Sequence, residues 1–156
     1  MSGNDFRLHL KSTLDKLMVD LIASIKASTG YTNLQGVEID NLVQTDEVLK
    51  SDRPALLWQF GVVVPDPRDP LYRLEFLVGS KTVMDAGNYV MAVLNNELGK
   101  AFEVGATIQI ADYSGSTAGS PTGYMVVTDN VLSPQQYDNM SGIRFFAISA
   151  RAARYI

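Results

Sequence analysis

Residues 62–79 read VVVPDPRDPLYRLEFLVG. Three of the chain's six prolines, Pro65, Pro67 and Pro70, fall in PDPRDP. Proline cannot donate to a strand ladder and fixes its own φ, so this segment ends a strand on either side and forms a stiff, charged tip. Upstream, Leu56, Trp58 and Phe60 alternate with Leu57, Gln59 and Gly61, which predicts a strand over Leu56–Val64. Downstream, Tyr72, Leu74, Phe76 and Val78 share one face and Arg73 and Glu75 mark the other, which predicts a strand over Leu71–Val78. Strands joined by so short a link pair as an antiparallel hairpin. A hairpin this apolar, projecting from a small body, is a liability in water unless something covers it. The expectation is that a neighbouring subunit does so. On the hairpin the expected interface residues are Trp58, Phe60, Pro65, Asp66, Pro67, Arg68, Asp69, Pro70 and Tyr72.

The rest of the chain supplies a body for that hairpin. Leu10, Leu14, Leu17, Met18, Leu21 and Ile25 recur at helical spacing and predict a helix over Asp5–Ala27, with Asn4 as its N-cap and Gly30 closing it. Val37 and Ile39 alternate with acids and predict a strand over 37–43. Asp85 caps a second predicted helix, Ala86–Leu98, with Tyr89, Val90, Val93, Leu94 and Leu98 buried and Gly99 at its stop. Strands are predicted at Thr107–Tyr113, Tyr124–Leu132 and Ile143–Ala150. In the last, Phe145 and Ala147 alternate with Phe146 and Ile148, so both faces are apolar, as in a central strand or one facing a partner. Two polar connections, 114–123 and 133–142, are long enough to be functional or mobile. This order predicts a single α+β domain over 1–156: a mainly antiparallel sheet with a projecting hairpin, packed by an N-terminal helix and one central helix.

Composition removes several functions. The net charge is −4, which argues against a protein that grips nucleic acid through its phosphates. There is no cysteine, so thiol catalysis, thiolate metal sites and disulfides are excluded. His9 is the only histidine, which excludes a His-rich metal site and leaves no base for a Ser-His-Asp arrangement beyond that one residue. LVGSKT (77–82) lacks the Gly-Lys-Ser/Thr order of a phosphate loop. Asp66 with Asp69, or Asp112 with Asp129, are the carboxylate pairs open to glycoside chemistry, but a hairpin tip builds no cleft. No catalytic residue, cofactor or metal is expected. No apolar run reaches the roughly 18 residues of a membrane span, and MSGNDFRLHLKS does not read as a signal peptide. Arg151 and Arg154 follow the last predicted strand, and arginine suits subunit contacts, so they join the expected interface.

This order of elements, from the N-terminal helix through the hairpin Leu56–Val78 and the helix Ala86–Leu98 to the closing strands, resembles the tail-terminator or tail-completion proteins of tailed bacteriophages. The resemblance spans about Asn4–Tyr155 and is one of element order, without a diagnostic motif, so no individual residue's role carries over. It implies a hexameric ring in the virion's neck, assembled in the host cytoplasm, that stops tail-tube growth and joins the tube to the head connector. DNA passes through such a ring without sequence-specific binding, and an acidic chain suits a lumen that must not hold phosphate. The competing readings are a small ligand-binding domain or enzyme, with a pocket lined by Trp58, Tyr89 and Tyr113, and a chaperone or module that binds one partner through the hairpin.

Overall fold

The structure, a computed structural model, describes residues 3–39, 53–65, 71–83, 87–133, 136–138 and 141–155. These residues form two helices and seven strands: α1 (Gly3–Thr29), β1 (Gln35–Glu38), β2 (Ala55–Pro65), β3 (Leu71–Val83), α2 (Gly87–Ala101), β4 (Thr107–Ile110), β5 (Gly123–Leu132), β6 (Gln136–Asp138) and β7 (Ser141–Arg154). One sheet holds all the strands in the order β1-β2-β3-β7-β5-β4, with β6 paired to the start of β7. Only β1, against β2, is parallel. The fold is α+β, as the element order predicts.

Alternation along each strand decides which face is buried. Tyr72, Leu74, Phe76 and Val78 on β3 stand across from Ala152, Ala150, Ile148 and Phe146 on β7. All eight are buried under the helices, with Leu56 and Trp58 of β2 and Met125 and Val127 of β5. Helix α1 lays Phe6, Leu10, Leu14, Met18, Ile22 and Ile25 on this face. Leu17 and Leu21, expected in its apolar stripe, are half-buried flanks. Helix α2 adds Leu94 and Leu98, and Phe102 follows it to meet Phe76 edge-on with ring centroids 5.5 Å apart. The N-terminal end of α1 lies so close to β5 that a Cβ on Gly123 would come within 2.9 Å of the Phe6 ring. A smaller cluster, Ile39, Ala55, Leu57 and Ile143, closes one end of the opposite face.

Several expectations are corrected here. The described strands of the hairpin do not extend beyond the sheet. β7 pairs with β3 from Leu71↔Ala153 to Val83↔Ser141, so the sheet accompanies β3 along its whole length. The ribbon's apolar inner face is covered by the chain's own helices. Alternation marks a face for burial without saying whether a helix of the same chain or a neighbour covers it. LVGSKT is the interior of β3: Ser80, Lys81 and Thr82 are buried, Lys81 Nζ donates to the Arg53 carbonyl at 2.9 Å, and Ser80 Oγ donates to Asn95 Oδ1 on α2 at 2.7 Å. Asn4 lies inside α1, not at its cap, and Gly99 lies inside α2. Gly30 does close α1: at φ +76° its N–H reaches the Lys26 carbonyl at 3.0 Å. Tyr89, expected on the buried side of α2, is 74% exposed. β4 ends at Ile110, short of the predicted Tyr113. Residues 40–43 of the predicted first strand and the Asp85 cap lie outside the described residues.

Candidate functional site

Among the described residues no three His, Cys, Asp or Glu side chains gather as a metal site would need. His9 is half-buried, with Nδ1 3.1 Å from Thr122 Oγ1. It borders an open cleft of about 370 Å³ between α1 and the loop after β4, lined also by Leu8, Lys11, Ser12, Asp15, Asp112 and Ser114. Most of its polar groups are engaged in holding the fold. Lys11 Nζ bridges Asp15 at 2.8 Å and Glu38 at 2.7 Å. The other Asp15 oxygen accepts from Trp58 Nε1 at 2.9 Å. Ser12 Oγ accepts from the Tyr113 amide at 3.1 Å, and Thr13 Oγ1 accepts from the Ala111 amide at 3.3 Å. Partial burial works against the Lys11 ammonium, but its hydrogen bonds to Asp15 and Glu38 raise its pKa. The Asp112 carboxyl is held below its ordinary range, first by the Ser114 hydroxyl and then by the Ser114 amide. These contacts fasten α1 to β1, β2 and the loop.

The residues expected at a subunit interface separate into three groups. Trp58 and Tyr72 are buried within their own chain, at 6% and 5% exposure, which corrects the expectation that a neighbour covers them. Phe60 is half-buried against the same core. Pro65 is exposed at the end of β2, while Asp66, Pro67, Arg68, Asp69 and Pro70 lie outside the described residues. Arg151 and Arg154 part company: an odd spacing along a strand sends them to opposite faces. Arg151 is exposed on the outer face; Arg154 is half-buried, its guanidinium 6.0 Å from the centre of the Tyr72 ring. Of the alternative pocket, Trp58 is buried and Tyr89 points outward, so those two do not line one cavity.

The sheet itself carries what the sequence reading missed. β1 covers only the first part of β2: pairing stops at Trp58, where the Ile39 amide also bonds. From Gln59 to Pro65 the outer edge of β2 has no partner among the described residues. On the opposite side of the sheet, β4 and the turn before it cover β5 only as far as Val127. From Thr128 to Leu132 that edge too is unpaired among the described residues. Val64, Val131 and Leu132 on these overhangs are 40%, 55% and 39% exposed. Cross-strand register decides both overhangs, and no local pattern reports it.

No protein-family model matches this chain, and no curated protein matches it. A solved structure that bears only a serial designation superposes over 100% of this chain and 97% of its own, with a TM-score of 0.53 and 13% identity. Such a likeness shows a shared fold and nothing about activity. No described helix is long and apolar enough to cross a membrane.

Proposed function

We propose that the protein is a non-enzymatic ring subunit of a tailed-phage virion that caps the tail tube and joins it to the head connector, with DNA passing through the ring. The observation that carries this is the pair of overhanging strands, Gln59–Pro65 and Thr128–Leu132, whose outer edges are unpaired among the described residues on opposite sides of one sheet. Unpaired strand edges template pairing with another chain. Two unlike edges on opposite sides favour a head-to-tail contact, which repeats and closes into a ring when the rotation permits. The resemblance in element order points the same way and supplies the hexamer. The net charge of −4 suits a lumen through which DNA must slide. In this reading the chain's partners are itself, the tail-tube protein and the connector, with no cofactor, no membrane and no sequence-specific hold on DNA. The support rests on the sheet's edges, not on the buried hairpin face.

Negative-stain microscopy of the purified protein tests it. Closed rings that bind one end of tail tubes and halt their growth are expected. Single particles that leave tube growth unchanged would remove the proposal. The α1 cleft favours one other reading, a small ligand-binding domain or enzyme. That reading requires a compound that raises the melting temperature of a monomer.

A further inference from the structure

On the outer face of the sheet, away from the helices, the register sorts side chains into rows that cross the strands. Arg73 on β3 stands directly opposite Arg151 on β7. In the next row, Glu75 on β3 and Asp129 on β5 flank Ser149 of β7 from its two sides. All four charged side chains are exposed, and none forms an ion pair among the described residues. Beyond the acidic row lies an apolar one, in which Leu77, Ala147 and Val131 stand side by side. Beyond the basic row lies another, with Leu71, Ala153 and Tyr124. The order along the strands is therefore apolar, acidic, basic, apolar. Small side chains at Gly61, Ala147 and Ser149 leave a trough of about 320 Å³ beside the acidic row.

In a lone subunit the basic row sets two like charges directly across a strand pair, with the acidic row one step along the strands. Like charges directly across a strand pair repel, and alternating the signs along each row would have made the same residues attract. The order is instead self-complementary. Take a two-fold axis in the plane of the face, parallel to the rows and midway between the charged ones. It sets the basic row of one copy on the acidic row of the other, and the reverse at once. Arg73 then meets the Glu75 position, and Arg151 meets Ser149 between its two acids. The same axis brings each apolar row onto the other copy's apolar row. Sheets stack face to face at about 10 Å, within reach of arginine and carboxylate side chains from both.

We infer that this banded outer face binds a second copy of the same chain across a two-fold axis, the two acidic and two basic rows interlocking. The contact uses side chains of the sheet's outer face, Asp129 and Val131 of the β5 overhang among them, and not the backbone edges that a ring would pair, so it does not rest on the ring reading. In a ring it joins two rings, and in free protein it joins two subunits. Isologous contacts of this kind are the commonest in soluble oligomers.

Charge reversal tests the inference, read by sedimentation velocity over a range of concentrations. The variants are R73E/R151E, E75R/D129R and all four changes in one chain. These positions are exposed, so each variant should keep the wild-type far-UV circular dichroism and melting temperature. Wild type is expected to pair. Each double variant should pair at least about tenfold more weakly. An equimolar mixture of the two double variants, and the fourfold variant alone, should recover pairing. Wild type that stays single at every concentration overturns the inference. So do double variants that associate as wild type does, or a folded fourfold variant that fails to recover. The ring reading fails separately, when no species larger than a pair forms in any of these samples.

Discussion

Replacing Trp58 with alanine should unfold the subunit rather than disassemble it. Trp58 is 6% exposed on β2, packed under α1, and its indole N–H donates to Asp15 Oδ1 at 2.9 Å. Deleting a buried tryptophan side chain costs about 3–5 kcal/mol in lost transfer energy and residual cavity. In a domain of this size each kcal/mol shifts the melting temperature by about 2–4 °C, so the midpoint should fall by about 6–20 °C. W58F keeps most of the packing and removes the hydrogen bond. Asp15 keeps Lys11 as its partner at 2.8 Å, so that variant should lose only about 1–2 kcal/mol. Urea unfolding followed by far-UV circular dichroism is the assay, since Trp58 is the chain's only tryptophan and its fluorescence goes with it. The protein should be dilute, so that self-association adds nothing to stability. An unchanged m-value with a lower midpoint would assign the loss to packing. If W58A unfolds at the wild-type midpoint but no longer self-associates, Trp58 sits at a subunit contact and the packing of α1 over β2 described here is wrong.

Three further outcomes follow from contacts elsewhere. T13V removes a side chain that is 3% exposed and accepts from the Ala111 amide at 3.3 Å; urea titration should show a loss of about 1–3 kcal/mol from the stranded donor. G123A drives a methyl group into the Ala153 backbone carbonyl of β7, with the Phe6 ring and Arg154 Cα each at 2.9 Å; thermal melts should show a loss of about 3 kcal/mol from overpacking as the β5 and β7 backbones are forced apart. The Asp112 carboxyl has a folded-state pKa below its ordinary value because Ser114 donates to it twice. Its contribution to stability is therefore present above the ordinary carboxylate pKa and fades as pH falls through the lowered one. Carboxyl NMR titration should find that lowered midpoint, and S114A should move it up toward the ordinary range.

Much of this fold is written in local periodicity. The stripe from Leu10 to Ile25, and the alternations in β3 and β7, name their elements and buried faces because each is a pattern of near neighbours. Phe145–Ile148, apolar on both faces, correctly marks the central strand. What was illegible depends on distant residues. That β3 continues through Ser80, Lys81 and Thr82 depends on Arg53 and Asn95 accepting from two of them, 28 and 15 positions away. Whether the hairpin projects depends on the length of β7. Arg73 and Arg151 are ordinary strand residues until the β3–β7 register sets them side by side. The separation of Arg151 from Arg154 was readable, since residues three apart on a strand face opposite ways.

The proposed ring requires sibling subunits to complete the sheet at its overhanging strands. Amide hydrogen exchange along Gln59–Val64 and Thr128–Leu132, at dilute and at concentrated protein, tests it most directly. Alternate amides in both stretches, those pointing away from β3 and from β7, should exchange much more slowly at high concentration. Exchange that stays equally fast at both concentrations would contradict it.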